Sequence, residues 1–341
     1  MAVSGIAYVE LYTLEKKATV DYFQSLFGFT TVAHAVTPEA DSSVLRQGDV
    51  QLVVTAGPVT RDFLDEHGDG IADIAFLCDD VHATRTAVLA AGGRLVGTLQ
   101  GHPVLSGFGD CRHTLLPAAP AADDRLPVGR DWATTPTRPA RPTGRIRLLD
   151  HVAVCLDGGT LVDYADYYQD GFGLDRYSSE YIAVGDQAMD SIVVRSSSGA
   201  VTFTLLEPDA TKGSGQIDAF LERNSGPGVQ HLAFLVDDIL PAVREFGGRG
   251  VDFLHTPGAY YDMLAERFPD MGGEIAELRT AHVLADRDEW GYLLQLFTRS
   301  PFEQNTLFYE LIQRRGSRGF GSANIKALYE AVDRDMLGAA E

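Results

Sequence analysis

Two histidines and one glutamate in the second half of the chain have the residue types and positions that best fit a chemical centre. His151 and His231 each begin a segment with the composition of a β-strand, and Glu310 lies within the apolar run Phe-Tyr-Glu-Leu-Ile. The alternation of a strand places Glu310 on the same face as Phe308 and Ile312, so its carboxylate is expected to point inward. A buried carboxylate needs a partner, and a metal ion would provide one.

The chemistry that such a set supports is that of a metal ion with open coordination positions. Two imidazoles and one carboxylate are the facial ligand set of non-haem iron(II) oxygenases, in which three adjacent positions stay free. This arrangement suits a reaction in which a 2-oxo acid chelates the ion through two oxygens and dioxygen takes the third position. The pattern alone does not separate iron from zinc or manganese.

Each of the three residues also has a purely structural interpretation. A histidine at the start of a strand is usually a hydrogen-bonded structural residue. Glu310 is close in sequence to Arg314 and Arg315, and an ion pair with either of them would also satisfy its charge.

An internal repeat favours the metal centre. The segment HGDGIADIAFLCDDV aligns with GPGVQHLAFLVDDI in the second half, which sets Asp73 opposite His231. In the same way GIAYVELYT aligns with LLDHVAVCL, which sets Tyr8 opposite His151. One copy therefore carries two histidines at matched positions, as expected of a scaffold half and a catalytic half. The other seven of the nine histidines show no such match and are interpreted as surface or structural residues: His34, His67, His82, His102, His113, His255 and His282.

The elements that must position these residues follow the same order in each half. A strand (VELYTL or HVAVCL) is followed by an amphipathic helix (KKATVDYFQSLFGF or LVDYADYYQDGFGL), by short strands, by the repeat strand and by a helix that starts after Asp-Asp. This order predicts an α+β fold in which each domain is a pair of βαβββ units whose curved, mostly antiparallel sheet forms an open barrel. Gly-rich phosphate-binding loops are absent from the sequence.

A segment rich in proline, alanine and arginine divides the chain. Residues 117–145 have neither helical nor strand periodicity and are interpreted as an interdomain linker. The division predicts an N-terminal non-catalytic domain over residues 1–140 and a C-terminal catalytic, metal-binding domain over residues 146–341.

The tail of the chain carries a helical pattern of its own. Ile325, Leu328, Tyr329 and Val332 recur at intervals of three and four residues, which predicts a helix over residues 322–335. Such a stripe is expected to pack on an apolar surface.

The composition excludes several classes of function. The 341-residue chain has 28 basic and 48 acidic residues, a net charge of −20, whereas nucleic-acid binding requires a basic surface. No apolar run approaches the roughly 20 residues that span a bilayer, which argues against a membrane protein. The first residues lack the basic start and apolar core of a signal peptide. The three cysteines show no CxxC spacing, so we expect no disulfide framework and a cytoplasmic protein.

Six ordered motifs give the second half a specific resemblance. In chain order they are DHVAVCL, GVQHLAFLVDDI, TPGAYYDML, LLQLFT, FYELIQRRG and GFGSANIKALYEA. Together they resemble the family of 4-hydroxyphenylpyruvate dioxygenases and 4-hydroxymandelate synthases, which has the vicinal oxygen chelate fold. The first half resembles the family more weakly, through HGDGIADIAF and GFGD.

The resemblance implies a cofactor, substrates and a set of site residues. In the family the matching His, His and Glu bind Fe(II), which implies that role for His151, His231 and Glu310. It also implies 4-hydroxyphenylpyruvate and O2 as small-molecule substrates, and a C-terminal helix that closes the active site. Gln295 and Asn324 are candidates to bind the carboxylate or the phenol, with the assignment open. The residues expected to bind substrate are Ser191, Thr204, Gln295, Phe308, Asn324 and Ile325.

Two departures from the dioxygenase pattern bear on the product. The last helix reads Ala323-Asn324-Ile325 where the dioxygenase typically has Gly-Asn-Phe, and residues 204–208 read Thr-Leu-Leu-Glu-Pro where it typically has Pro-x-Asn-Glu-Pro. Both resemble the synthase branch, which hydroxylates the benzylic carbon to give 4-hydroxymandelate and CO2. Without the flat ring of a phenylalanine, Ile325 would let the aryl group rotate, and a shift of about 1 Å can change a rate a hundredfold. We therefore predict 4-hydroxymandelate, with ring hydroxylation to homogentisate as the alternative.

Other interpretations of the second half stay open. A non-catalytic binding protein on the same fold would not need to keep His151, His231 and Glu310 intact. A metal-dependent lyase or an extradiol dioxygenase is disfavoured by the tail motifs. A homodimer is expected from its frequency among soluble enzymes. The resemblance to the synthase branch also implies a route that supplies aryl-glycine precursors for antibiotic biosynthesis.

Overall fold

The strands of this computed structural model divide between two mixed sheets. The structure describes residues 3–118, 126–135 and 144–321, together with Asn324 and Lys326. Within these residues the strands are β1 (Val3–Tyr12), β2 (Thr30–Val36), β3 (Asp41–Gln47), β4 (Val50–Ala56), β5 (Gly70–Cys78), β6 (Leu95–Leu99), β7 (His102–Ser106), β8 (Arg112–Pro117), β9 (Ala133–Thr134), β10 (Ile146–Cys155), β11 (Asp175–Val184), β12 (Gln187–Arg195), β13 (Thr202–Pro208), β14 (Gly228–Val236), β15 (Leu284–Arg287), β16 (Tyr292–Phe297) and β17 (Phe308–Arg315).

The helices are short and lie between the strands. None in the described part of the chain is long and apolar enough to cross a membrane. The first helix continues into a π-helical segment, Tyr22–Phe27, and single 3-10 turns cover Pro58–Thr60 and Pro269–Met271. The α-helices are α1 (Lys16–Asp21), α2 (Arg61–His67), α3 (Val81–Ala90), α4 (Leu161–Phe172), α5 (Gln216–Arg223), α6 (Ile239–Gly248), α7 (Gly258–Arg267) and α8 (Gly272–Thr280).

Both sheets are built to one plan. The order is β6-β7-β8-β5-β1-β4-β3-β2-β9 in the first sheet and β11-β12-β13-β10-β14-β17-β16-β15 in the second. In each, the opening strand pairs antiparallel with the repeat strand (β1 with β5, β10 with β14) and parallel with a later strand on its other side (β4 or β13). Most of the other pairs are antiparallel. The predicted α+β vicinal oxygen chelate fold is confirmed.

A glycine ends the first helix of each half. Gly28 follows the π-helical segment and Gly173 follows α4, with φ of 79° and 69°. Residues with side chains adopt this left-handed conformation only at a cost, so glycine is favoured at the end of a helix. The chain then turns directly into β2 or towards β11.

The largest apolar core joins the two sheets to each other. The ring of Phe27 lies 6.3 Å from that of Phe234, and the ring of Phe76 lies 5.9 Å from that of Phe203, so the contacts cross between the halves at both ends. His113 is fully buried in this core and its Nε2 lies 2.8 Å from the hydroxyl of Tyr168. This packing fixes one sheet against the other and leaves the inner face of the second sheet for a site.

The linker and tail differ in how much of them the structure describes. Within the segment interpreted as a linker, Ala133–Thr134 pairs antiparallel with β2 at the edge of the first sheet. The sequence shows no strand periodicity there. The predicted tail helix over residues 322–335, including Ile325, lies outside the described residues except at Asn324 and Lys326.

Candidate metal centre

Three neighbouring strands at the centre of the second sheet bring His151, His231 and Glu310 together. Ala233 on β14 is paired with His151 on β10 on one side and with Glu310 on β17 on the other. His231 lies two residues before Ala233 and therefore projects from the same face. Period-two alternation on each strand, together with the register among the three, places the three side chains side by side.

The ligand atoms of the three side chains converge on one point. The Nε2 atoms of His151 and His231 each lie 3.3 Å from Oε2 of Glu310, and all three ligand atoms fall within 4.8 Å of one another. The residues are 4%, 8% and 1% exposed, respectively. One divalent ion at ordinary Zn or Fe distances of about 2.0–2.2 Å from each atom would fit among them. No other group of three or more potential ligands occurs in the part of the chain that the structure describes.

The protonation of the three side chains depends on their closeness. Burial by itself would raise the pKa of Glu310, but the imidazole of His151 and then that of His231 lower it to about 2. Burial would lower the pKa of His151, but the carboxylates of Glu310 and Asp150 raise it to about 9. Burial lowers the pKa of His231. The site therefore presents a buried anion beside two imidazoles, a donor set that a divalent cation satisfies.

Hydrogen bonds at Nδ1, the ring nitrogen away from Glu310, fix the orientation of the two histidines. Nδ1 of His151 lies 3.0 Å from Oδ1 of Asp150, and Nδ1 of His231 lies 3.2 Å from Oε1 of Gln230. An acceptor at Nδ1 holds a proton there, so the neutral imidazole presents Nε2 to a metal, whose binding would displace any proton on Nε2. Asp150 is in turn held by Arg314, whose Nε and Nη2 each donate to one carboxylate oxygen at 2.7 Å.

The arginines near Glu310 pair elsewhere. Arg314 binds Asp150, and Arg315 makes two bonds of 2.6 and 2.7 Å to Glu274 on α8. The structural interpretation of Glu310 as a partner of either arginine was therefore wrong. Strand alternation is the reason for Arg315, which projects from the opposite face. Arg314 reaches across β14 to Asp150 on β10.

A chain of amide and hydroxyl groups runs from Glu310 to the tail. Gln295 donates from Nε2 to Oε1 of Glu310 at 2.8 Å, and its Oε1 accepts from Nδ2 of Asn324 at 2.9 Å. The Oδ1 of Asn324 accepts from the hydroxyl of Tyr260 at 2.8 Å. Gln295 and Asn324 were expected to bind substrate; in the structure they contact each other, Glu310 and Tyr260.

The other residues expected to bind substrate lie on the inner face of the same sheet, except Ile325, which lies outside the described residues. Phe308 is paired with His231 and its ring stacks on the imidazole at 5.0 Å. Thr204 is paired with Ala153, two residues after His151, and its buried Oγ1 has no hydrogen-bond partner among the described residues. Ser191 is also buried, but its hydroxyl donates to the backbone oxygen of Glu180 at 3.1 Å.

The sequence analysis missed several residues at this site. Two of them, Asp150 and Phe320, contact His151 directly. Arg314 binds Asp150, and Tyr260 binds Asn324. The only available signal was the position of Asp150 immediately before His151, which fits the common pairing of a metal-ligating histidine with a carboxylate.

The matched positions of the first sheet hold a different set of side chains. Tyr8 and His151 occupy the same register position against the antiparallel neighbour, as do Asp73 and His231. The carboxylate of Asp73 accepts from the backbone N–H of Thr114 at 3.0 Å and from its hydroxyl at 2.5 Å. Nε of Arg112 lies 3.9 Å from the same carboxylate, so groups of the protein itself satisfy Asp73.

Comparison with known proteins adds to this geometry. Residues 1–116 match the family model described as "Hydroxyphenylpyruvate dioxygenase, HPPD, N-terminal", and residues 148–296 match that of the "Glyoxalase/Bleomycin resistance protein/Dioxygenase superfamily". The 4-hydroxyphenylpyruvate dioxygenase of Neurospora crassa is 30% identical over 98% of this chain and 92% of its own length. The chain belongs to the 4-hydroxyphenylpyruvate dioxygenase family.

Other members of the 4-hydroxyphenylpyruvate dioxygenase family differ in their sequence identity to this chain. The dioxygenase of Yarrowia lipolytica is 29% identical over 97% of this chain and 92% of its own. A solved structure of a triple mutant of 4-hydroxymandelate synthase from Streptomyces coelicolor is 52% identical, with a TM-score of 0.91 over 98% of this chain and 100% of the other. Membership makes the chain an enzyme of a dioxygenase family that acts on small molecules.

Proposed function

We propose that the chain is an Fe(II)-dependent 4-hydroxymandelate synthase, which converts 4-hydroxyphenylpyruvate and O2 to 4-hydroxymandelate and CO2. The observation that carries the proposal is the 52% identity with the Streptomyces coelicolor synthase over nearly the whole chain, against about 30% with the fungal dioxygenases. The Ala323-Asn324-Ile325 and Thr204-to-Pro208 segments agree with it. Both atoms of O2 are accounted for: one enters the carboxylate that forms from the keto carbon and the other enters the new hydroxyl, while CO2 leaves with the oxygens of the original carboxylate.

The metal would be held by His151, His231 and Glu310. Fe(II), when bound there, supplies open coordination sites for the 2-oxo acid and electrons for the reduction of dioxygen. The acceptors at Nδ1 hold a proton there, so each imidazole in its neutral form offers Nε2 to the metal. Gln295 holds one oxygen of Glu310 in a hydrogen bond, so that the other oxygen faces the histidines. The ligand geometry is thus set before any substrate arrives.

The inner face of the sheet would orient the substrate. Phe308 and Phe297 both lie against the ring of His231, at 5.0 and 5.9 Å, and form an apolar wall beside the metal position. The hydroxyl of Thr204, which has no partner among the described residues, is a polar group on this face that could bond an oxygen of the substrate. An apolar wall with few polar groups suits an aryl 2-oxo acid and excludes water from the reacting carbon.

Product analysis is the direct test. The purified protein is mixed anaerobically with Fe(II) and 4-hydroxyphenylpyruvate, oxygen is admitted, and products are separated by chromatography and identified by mass. We expect 4-hydroxymandelate and equimolar CO2. Homogentisate as the main product would overturn the synthase assignment in favour of the dioxygenase reaction, the activity named for the relatives at about 30% identity.

A second variant separates an enzyme from a binding protein on the same fold. Glu310→Ala removes one ligand, so we expect turnover and tight metal binding to be lost. A binding protein should instead retain its aromatic ligand with unchanged affinity, measured by calorimetry with 4-hydroxyphenylpyruvate. Glu274→Ala is the control, because this glutamate pairs with Arg315 on the outer face.

A further inference from the structure

The guanidinium of Arg314 contacts two parts of the molecule at once. Its Nε and Nη2 donate to the two oxygens of Asp150 at 2.7 Å, and Asp150 holds Nδ1 of His151. Its Nη1 donates at 2.7 Å to the backbone oxygen of Gly319, in the segment that leads to the tail. The guanidinium therefore links Asp150, which holds the proposed metal ligand His151, to the backbone that follows β17.

The segment that Arg314 binds also rests against the metal centre. The ring of Phe320 lies under the guanidinium at 5.1 Å and meets the imidazole of His151 edge-on at 5.3 Å. The backbone oxygen of Phe320 accepts from Gln295 at 3.4 Å. At Gly321, where φ is +74°, an added Cβ would lie 2.0 Å from the Oε1 of Gln295. The backbone thus touches side chains that orient two of the three ligands.

A second anchor holds the other end of this segment. Asp288 accepts from the backbone N–H groups of Arg318 and Gly319 at 2.6 and 2.8 Å and from the hydroxyl of Ser317 at 2.8 Å. These bonds fix residues 317–319 but reach no metal ligand. Gln295 bonds to this segment and to Glu310, whereas Arg314 bonds to this segment and to Asp150, the group that holds His151.

We propose that Arg314 is a positioning residue that couples the docking of segment 317–321 to the orientation of His151. The proposal rests on the proposed function, since it takes His151 as a metal ligand. The rigid fork of an arginine makes the bidentate bond to Asp150 while its remaining amine reaches Gly319, which the single ammonium of a lysine cannot do. Loss of the guanidinium leaves Asp150 buried without its partner and removes the bond to the backbone of Gly319. The imidazole of His151 and residues 317–321 should therefore both become more mobile.

The test uses the full chain and two readouts besides activity. Arg314→Lys is compared with wild type for Co(II) affinity and the Co(II) d–d absorption spectrum, and for hydrogen exchange of a peptide covering residues 316–321. We expect Co(II) affinity to fall by about 10- to 100-fold, with a changed spectrum, which is the usual effect of losing a group that orients a ligand. Amide exchange in the peptide should accelerate at least about tenfold in the same variant.

Arg315 provides the matched control. It is the next residue, forms the same kind of bidentate pair, with Glu274, and projects from the other face. Arg315→Lys should change neither the Co(II) spectrum nor the exchange of the peptide. Near-ultraviolet circular dichroism establishes that each variant is folded.

Asp150→Asn extends the test if Arg314→Lys folds poorly. It removes the charge that Arg314 clasps but keeps the shape, and it should also accelerate exchange in residues 316–321, although Asp150 does not touch that segment in the described contacts. Weaker Co(II) binding with unchanged exchange, or faster exchange with an unchanged spectrum, would overturn the coupling. Failure of the wild type to bind Co(II) would overturn this inference and the metal-dependent function together. Homogentisate as product would overturn only the proposed product.

Discussion

At the scale of single residues, this site separates side chains that are already satisfied from those that are not. Gln295, Asn324 and Tyr260 form a closed series of hydrogen bonds ending on Glu310. Thr204 is buried on the same inner face, and its hydroxyl has no partner in the part of the chain that is described. An unsatisfied buried hydroxyl lowers stability, so we propose that a bound substrate supplies the partner of Thr204.

Replacement of Thr204 by valine tests this role. Valine has nearly the same shape and lacks the hydroxyl, so we expect KM for 4-hydroxyphenylpyruvate to rise by up to about tenfold, the value of one hydrogen bond. Stability should stay within about 0.5 kcal/mol of wild type, because no bond within the described structure is lost.

The control is a buried threonine whose hydroxyl is satisfied. Thr55 in the first sheet donates to Glu10 at 2.7 Å and lies 2.9 Å from the hydroxyl of Ser42. Thr55→Val should destabilise the protein by roughly 1–2 kcal/mol and leave KM unchanged. A Thr204→Val enzyme with wild-type KM would contradict a role in substrate binding.

At the scale of elements, equivalent helices in the two halves are started differently. The N-cap of α3 is Asp80, whose side chain accepts from the backbone N–H of Ala83 at 2.9 Å. Its counterpart Asp238 before α6 has nearly the same backbone angles but makes no such bond. In the first turn of α6, the N–H of Ile239 instead donates to the side-chain oxygen of Gln313 on β17, at 3.1 Å. The same Asp-Asp sequence thus has a different energetic role in each half.

This difference predicts unequal effects of the same substitution. Asp80→Ala should cost about 1 kcal/mol, because it leaves a helix N–H unpaired, whereas Asp238→Ala should cost little. In scanning calorimetry we expect Tm to fall by roughly 1–2 °C for Asp80→Ala. Equal losses for the two variants would show that the cap bond of Asp80 is not what stabilises its helix.

At the scale of the whole molecule, the two sheets share a core that holds a buried histidine. His113 lies 4.5 Å from the ring of Phe76 in a stacked arrangement, and its Nδ1 lies 3.0 Å from the backbone oxygen of Ile74. Burial lowers its pKa from 6.5 to about 4. Joining the halves therefore places a titratable group where its charged form is disfavoured.

The consequence is a stability that falls in mild acid. Between pH 6.5 and 4 the unfolded chain binds a proton at residue 113 that the folded chain does not. The stabilisation is therefore complete above pH 6.5 and declines as the pH falls. It amounts to about 2 kcal/mol lost between pH 8 and 5. His113→Gln should remove this part of the pH dependence, measured as the change in urea midpoint between the two pH values.

His34 on β2 is the control, because its side chain is exposed. His34→Gln should keep the wild-type slope of stability with pH. If His113→Gln also keeps it, the loss of stability in acid originates elsewhere in the molecule.

The sequence by itself determined the fold class, the first amphipathic helix of each half, and the strand positions of His151, His231 and Glu310. All of these depend on local pattern: a period of two, a period of 3.6, or a match between two copies. The helices α7 and α8 were not predicted, since their apolar residues carry a weaker pattern.

Only the tertiary structure decided which polar groups meet. Arg314 pairs with Asp150, 164 residues away, and not with Glu310 four residues before it. Gln295 and Asn324 bind each other and leave Thr204 as the unpartnered group on the inner face. These outcomes depend on the register among β10, β14, β16 and β17, which is set by contacts distant in sequence. A shift of one residue would turn every side chain of a strand to the opposite face, so local pattern determines the residue types of the site and register determines their partners.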